Sequence, residues 1–370
     1  MVELRRGGGD GRRKAAGFFA AALVCTAAAS TATASRVAAD PAAVCADASA
    51  HPEWIFCDDF EAGPPTVGVG RYFEIDGDDG DFRRVAGAGR DGSFGMRTEW
   101  QRGEVGAGGL KVAFGRNPNG YMNKTRIRPT EDFREIWYRL DVRHDVGWQG
   151  DPAKLSRATV FASADDWRQA MIAHLWGDGK GHLLVDPARC VDPANGVKCT
   201  KYNDFDKLDW LGNKPGTTPV FDTANGGRWF CVVHHVRLND PGQANGVQEF
   251  FIDGRLEARR EGLDFVRGYQ DFALNAVFVE NYWNDGAVKD EGRDFDNLVI
   301  STGSVECPAA DGGGGGTATA TATVEPATVT VEPTSAATAT ATPTLVVTRH
   351  PTATAAMRWF AYLPRALRLP

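Results

Sequence analysis

An all-β sandwich is the fold class this sequence predicts, and three observations predict it. Apolar and polar residues alternate at period two through most of residues 40–307. Turn signals rich in Gly, Asn and Asp separate the alternating runs at short intervals. No long run repeats at the helical period of 3.6. Many short strands joined by turn chemistry bury their apolar faces by packing as sheet on sheet.

The elements can be justified in order. "EIWYRLDVRHD" (135–145) sets Ile136, Tyr138, Leu140 and Val142 against Trp137, Arg139, Asp141 and Arg143, so the first set faces a core. "ATVFASA", "RQAMIAHLW" and "GHLLVDP" form a meander, broken at Asp165-Asp166 and at "GDGKG". "YNDFDKLDWLG" (202–212) is polar and aromatic without a period, and reads as an irregular excursion over one end of a cleft. "RWFCVVHHVRLN" (228–239) alternates again and sends His234 and His235 to opposite faces, so at least one of them is structural. "GVQEFFIDGRLEARR" (246–260) is a hairpin turning at Asp253-Gly254. "FALNAVFVENYW" (272–283) and "DFDNLVIS" (294–301) complete the set.

Both ends of the chain read differently. Residues 1–34 resemble an export signal: a front of Arg5, Arg6, Arg12, Arg13 and Lys14, an apolar run from Ala15 to Ala29, and Ala32-Thr33-Ala34 as an A-x-A cleavage site. Arg12-Arg13 hints at the twin-arginine route. "GGGGG" (312–316) opens a Thr/Ala/Pro/Val tract, so 308–356 reads as a low-complexity linker. Residues 357–370 form an aromatic and basic tail, either a frayed terminus or an envelope-attachment tag. The protein is expected outside the cytoplasm, secreted or on the cell surface, as a monomer.

The formal net charge is −7; residues 1–34 carry +3 and 308–370 carry +1, which leaves −11 on 35–307. So acidic a domain is a poor nucleic-acid binder, and it suits a polyanionic substrate only if the site is locally basic. Six cysteines follow the export segment, an even number that favours disulfides in an oxidising compartment. Cys190 and Cys199 close a short loop and pair best. Cys57 with Cys231, and Cys45 with Cys307, are the remaining expected pairs.

"FEIDGDDGDF" (73–82) places Glu74, Asp76 and Asp78 at alternating positions, as a glycosidase strand would. Gly77 and Gly80 interrupt it, and Gly and Asp favour turns, so it reads as an acidic loop at the rim of a cleft.

"FCDDFE" near the start, "GRWFCVVHHVRLN" followed by "EFFIDGRLE", and the closing "DFDNLVIS" together resemble the concanavalin A-like (laminin-G-like) jelly roll over about residues 55–305. That resemblance implies that the first and last strands pair at the back of the sandwich. Within it, several strands look like those of sandwich-fold polysaccharide lyases of the alginate, glucuronan and heparin lyase type. Arg97 and Glu99 in "FGMRTEWQRG" are similar to the R-x-E strand of alginate lyases, where the Arg contacts substrate. "QAMIAHLW" resembles their Q-x-H strand, with His174 kept and Ile172 in place of the Gln. Tyr282 in "AVFVENYWND" resembles the Tyr of their Y-x-K-x-x-x-Y-x-Q strand, with Ala276, Phe278 and Asn284 at the other three positions. Lys154 and Arg157 in "DPAKLSRATVF" supply positive charge, and a Lys before a sheet strand resembles the family-14 type of lyase.

Lyase chemistry needs a cation or amide on the uronate carboxylate, a base for the adjacent proton, and an acid for the leaving oxygen. The resemblance implies Tyr282 and His174 as base and acid on the concave sheet, with Arg97, Lys154 or Arg157 neutralising the carboxylate. Glu99, Arg157, Trp176, Asn281 and Trp283 are the expected substrate contacts, aromatic faces being suited to sugar rings. Each has a structural counterpart: a surface ion pair for Arg97 and Glu99, a satisfied strand histidine for His174, solvated cations for Lys154 and Arg157. Trp148, Trp167, Trp176, Trp210 and Trp283 form either a sugar platform or core. No cofactor is required; a structural calcium is an open expectation. The alternative functions are a lectin-like surface module that binds a polysaccharide without cleaving it, and a glycoside hydrolase resting on Glu74 and Asp76.

Overall fold

The computed structural model describes residues 41–308 except 119 and 121. The expected export segment, linker and tail lie outside the described residues. Two antiparallel sheets of eight strands each form the sandwich. The front sheet runs β2 (Glu74–Asp76), β5 (Gly106–Ala113), β15 (Ala276–Tyr282), β7 (Lys154–Phe161), β8 (Gln169–Gly177), β9 (Leu183–Arg189) and β10 (Asp209–Trp210), with β11 (Lys214–Pro215) also on β9. The back sheet runs β3 (Phe82–Ala86), β4 (Phe94–Trp100), β16 (Glu291–Ser301), β6 (Glu135–His144), β12 (Trp229–Arg237), β13 (Gly246–Ile252) and β14 (Arg255–Leu263). β1 (Trp54–Asp58) pairs with the far half of β16, so first and last strands do meet, as the jelly-roll resemblance implies.

Alternation explains which faces meet. Ile136, Tyr138, Leu140 and Val142 of β6 all enter the main core, together with Val277 and Val279 of β15 and Ala173 and Leu175 of β8. The β13–β14 hairpin turns at Asp253 (φ 50°) and Gly254 (φ 77°). Two successive left-handed residues are what a tight primed turn demands, and Asp-Gly supplies them with little strain. The acidic stretch is strand only over 74–76 and then turns over Asp78–Gly80, with Asp78 and Asp79 in the left-handed region.

A polar thread crosses the core between the sheets. Gln248 Nε2 donates to the His174 carbonyl at 2.7 Å and to His234 Nε2 at 3.0 Å. With Nε2 accepting, His234 Nδ1–H donates to the Tyr138 hydroxyl at 2.6 Å, which in turn donates to Ser156 Oγ at 3.0 Å. Burial pushes His234 down to about 3, consistent with a neutral ring in this thread. Each such bond contributes about 1 kcal/mol net, but orphaning one buried partner costs about 1–3 kcal/mol, so the thread fixes how the sheets register. His235 faces outward, between Glu249 and Glu135, stacked on Trp137.

Three disulfides are present: Cys190–Cys199, as expected, and Cys45–Cys57 and Cys231–Cys307. The expected Cys57–Cys231 and Cys45–Cys307 pairs are therefore corrected. Strand order is the reason. Cys57 on β1 sits opposite Val299 of β16, which sits opposite Arg139 of β6, which sits opposite Val233 of β12. Three strand spacings separate β1 from β12, roughly 14 Å, whereas a disulfide needs Cα atoms within about 7 Å. Cys45 instead lies on the short 3₁₀ segment Pro41–Ala50 just ahead of β1. After β16 the chain passes over β6, where Arg139 Nη1 donates to the Glu306 carbonyl, and Cys307 reaches β12.

Candidate active site

Residues of the front sheet that point away from the core gather in one place. Alternation along β15 sends Phe278, Glu280 and Tyr282 outward, and Arg157, His174 and Lys111 come from the neighbouring strands. Lys154 joins them by an irregularity. Counting back by twos from Arg157 would aim Leu155 outward and Lys154 into the core. Instead Leu155 packs in the core and Ser156 bonds the core hydroxyl of Tyr138. The β7–β8 register slips between Lys154 and Ser156. This bulge turns two successive side chains inward and re-aims Lys154 to the outer face.

There the Lys154 ammonium lies 4.1 Å from the centroid of the Tyr282 ring, 5.7 Å from that of Trp176 and 6.0 Å from that of Phe205. Its ammonium makes no ion pair or hydrogen bond among the described residues. Burial pushes Lys154 down to about 8; Glu280 opposes that, while Arg157 and Lys111 add to it. Tyr282 is half-buried, and burial moves its phenol upward. A base near neutrality thus stands beside a phenol that keeps its proton.

The other cations on this face are engaged, whereas the Asp186 carboxylate, opposite His174 on β9, makes no bond among the described residues and is pushed up to about 6 by burial. Arg157 is fully buried, with Nη2 on Glu280 Oε1 at 2.8 Å and on the Tyr202 hydroxyl, and Nη1 on Asn203 Oδ1 at 2.6 Å. Lys111 pairs with Glu74 across β5 and β2. The cations Lys111, Lys154 and Arg157 share this face with the carboxylates Glu74, Glu280 and Asp186, so it carries no excess of formal charge, and Lys154 is its one cation without an ion pair among the described residues.

The segment after Cys199 forms the cover. Tyr202 and Asn203 close over Arg157, and Phe205 and Trp210 lie above His174 and Trp176. Trp210 stacks nearly parallel to Phe205, at 10°, and remains 45 % exposed. The Cys190–Cys199 disulfide fixes the start of this segment to the end of β9.

The structure brings together Tyr282, Lys154, Arg157, Trp176 and His174 among the expected residues, and separates the rest. His174 is on the right face but fully buried under the cover; Nδ1 bonds the Asp186 carbonyl at 2.9 Å and Nε2 has no partner among the described residues. Burial holds it well below the usual histidine range, so it is neutral and has no path to a substrate. Arg97 and Glu99 are on β4 of the other sheet, on its outer face, where Arg97 binds Asp145 at 2.6 and 2.7 Å and Asp294 at 3.2 Å. Asn281 points inward, accepting from Arg293 at 2.6 Å and donating to the Gly108 carbonyl at 3.3 Å. Trp283 is core, its ring 5.8 Å from Trp100 and 5.5 Å from Trp148. Period-two alternation accounts for both: neighbours of Tyr282 must face the other way. Glu74, of the glycosidase reading, is tied to Lys111, and Asp78 lies in the turn.

Lys111 and Glu280 belong to the site and were not singled out from the sequence; Tyr202, Asn203 and Trp210 lie in the 202–212 segment expected over one end of a cleft, Trp210 also among the tryptophans of the expected sugar platform. For Lys111 and Glu280 a signal existed, since each is a lone charge inside an apolar alternating strand. Among the described residues no group of three or more His, Cys, Asp or Glu stands in a metal-holding arrangement.

The sequence matches no known family model and no curated protein sequence. The fold is similar to solved structures of polysaccharide lyases. The endo-β-1,4-glucuronan lyase of the fungus Trichoderma reesei shares 13 % identity, over 66 % of this chain and 96 % of that one, with a TM-score of 0.42. The marine PL-14 alginate lyase of Aplysia kurodai shares 13 % over 62 % and 90 %, with a TM-score of 0.41. The alginate lyase of a Chlorella virus shares 10 % over 62 % and 90 %, with a TM-score of 0.43. Likeness at this level concerns sandwich architecture alone.

Proposed function

We propose that this protein is an exported polysaccharide lyase that cleaves a uronic-acid polymer by β-elimination at Lys154 and Tyr282. One observation carries the reading: an ammonium with no ion pair or hydrogen bond among the described residues, 4.1 Å from a tyrosine ring, on an outer face where the neighbouring cations Lys111 and Arg157 are each paired with a carboxylate. In its amine form Lys154 takes the proton from the carbon next to the uronate carboxyl. The C–H electron pair becomes a carbon–carbon double bond. The bond to the glycosidic oxygen breaks, its electrons staying on oxygen, and the Tyr282 phenol protonates that oxygen. No water is consumed. Lys111 and Arg157 offset the charges of Glu74 and Glu280, so these carboxylates oppose less the charge building on the substrate carboxylate. Relative to the expectation from sequence, Lys154 takes the role of base and His174 takes none. Three disulfides suit an oxidising compartment and support export.

The test is a panel of alginate, glucuronan, pectate, heparin and hyaluronan with the purified protein, watched by ultraviolet absorbance for the unsaturated product. A rise that Tyr282→Phe abolishes supports the reading, and no rise on any polymer sinks it. The exposed face of Trp210 favours a second reading, a module that holds a polysaccharide without cutting it; retention in an affinity gel with no absorbance change would select that one.

A further inference from the structure

Arg293 of β16 belongs to the back sheet, yet its side chain works on the front sheet. It is fully buried between the sheets, its guanidinium 5.1 Å from the Trp100 ring and 4.8 Å from the Phe295 ring. It pairs with no carboxylate among the described residues, and Nε and Nη1 have no partner there. Burial lowers it to about 9, which leaves it charged at neutral pH. Such a cation is costly to bury and contributes little to stability by itself. Its one engaged nitrogen, Nη2, is directed at the Lys154 carbonyl at 3.4 Å, the Glu280 carbonyl at 3.0 Å and Asn281 Oδ1 at 2.6 Å.

Those three oxygens sit where the front sheet loses its register. β7 slips against β8 between Lys154 and Ser156, and β15 slips against β7 between Val279 and Tyr282. β15 also slips against β5 between Glu280 and Tyr282. On β5 the irregularity uses Gly108 at φ 78°, where a Cβ would come within 2.4 Å of the Asp76 carbonyl; the Gly108 carbonyl accepts from Asn281. Bulges leave carbonyls without ladder partners, and a buried donor is what such carbonyls require.

We infer that Arg293 is a positioning residue: from behind the sheet its guanidinium holds the paired bulges of β7 and β15 that turn Lys154 outward against Tyr282. The inference deepens the lyase reading, since the pair it sets is the proposed base and acid. It places on Arg293 a demand that alternation and packing do not make. A long apolar side chain would fill the same space between Trp100 and Phe295 without a buried charge.

The test compares wild-type protein with Arg293→Met and Arg293→Lys. The first readout is the pH dependence of acylation of Lys154, followed by peptide mass. Glu280, Arg157 and Lys111 are the charges that act on Lys154, and Arg293 is not among them. A change in Lys154 therefore reports movement rather than lost charge. In Arg293→Met the labelling midpoint should rise from about 8 by at least one pH unit, toward the roughly 10.4 of an exposed lysine. Arg293→Lys, which keeps a donor on a shorter stem that cannot reach all three oxygens, should still shift upward, by about a quarter to a half as much. The second readout is turnover: kcat should drop at least tenfold in Arg293→Met with KM within threefold, and Arg293→Lys should recover most of it. A folded Arg293→Met whose labelling midpoint and kcat match wild type overturns the inference. If the Met variant does not fold, Arg293→Lys alone decides, a midpoint identical to wild type counting against the inference and a raised one for it. If wild type cleaves no polymer, the lyase reading fails by itself, and the labelling still judges Arg293.

Discussion

If Lys154 is the base, the rate must follow the fraction of its side chain present as amine. Burial sets Lys154 at about 8. About one part in a hundred is then amine at pH 6, about a tenth at pH 7 and about half at pH 8. The value of kcat/KM, which reports the free enzyme, should rise roughly tenfold from pH 6 to 7 and about fivefold from 7 to 8, then level off. An exposed lysine would instead keep climbing tenfold per unit to about pH 10. Lys154→Arg sharpens the test, because arginine keeps the positive charge and does not deprotonate in this range. Loss of a general base costs about 10²- to 10⁴-fold, so Lys154→Arg should fall by that much at every pH. The assay is the initial rate of ultraviolet absorbance on the cleaved polymer, in buffers of constant ionic strength. A profile that is flat or falling between pH 6 and 8, or a Lys154→Arg variant within tenfold of wild type, would mean that Lys154 serves as a cation and not as the base.

Other expectations can be measured without knowing the reaction. Trp210→Ala should weaken retention on the bound polymer about tenfold while costing about 1–2 kcal/mol of stability through its lost ring contacts, whereas Trp283→Ala, in the core, should cost about 3–5 kcal/mol; equal stabilities in a urea titration would refute the placement. His144 is buried with both ring nitrogens unpartnered among the described residues, and burial, then Arg293, holds it well below its usual range. Its neutral form contributes stability above pH 6.5 that is lost as pH falls, so His144→Phe should gain on wild type by about 1.4 kcal/mol per pH unit below 6.5. A difference that stays constant from pH 7 to 5 would contradict this. The Cys231–Cys307 bridge closes 76 residues and should contribute about 4.5 kcal/mol, against about 2.6 kcal/mol for Cys190–Cys199 across 9 residues; double Ser variants compared by denaturant midpoint would reverse that order if the chain-entropy argument is wrong here.

Alternation made the sandwich legible. The inward set of β6, the Asp253-Gly254 hairpin and the meander from β7 to β9 all follow from period two and turn chemistry. What alternation does not contain is which strand lies beside which. Arg97 and Tyr282 each sit on a plausible outer face, but one is on the back sheet and the other on the front. Cys57 and Cys231 both lie on strands, with two strands between them. Lys154 was identified by its charge, while its actual placement depends on a bulge, and a bulge is a tertiary compromise that leaves no mark in the alternating pattern. His174 shows the opposite limit: its face was readable, but the cover over it comes from a segment with no period. Asn281 and Trp283 could have been separated from Tyr282 by alternation alone, since adjacent residues on a strand cannot share a face.

Both flanking disulfides attach to the back sheet. Residue 45 is joined to β1 and residue 307 to β12. A pull applied at those two positions is delivered through covalent bonds to strands of one sheet, and because Cys57 and Cys231 lie within two residues of register it acts mainly across the β1–β16–β6–β12 ladder, along its hydrogen bonds. The bulged pair β7 and β15 lies in the other sheet, outside that line of force. Mechanically the molecule divides into a sheet that bears load and a sheet that carries chemistry, joined by the buried thread from Gln248 to Ser156 and by Arg293.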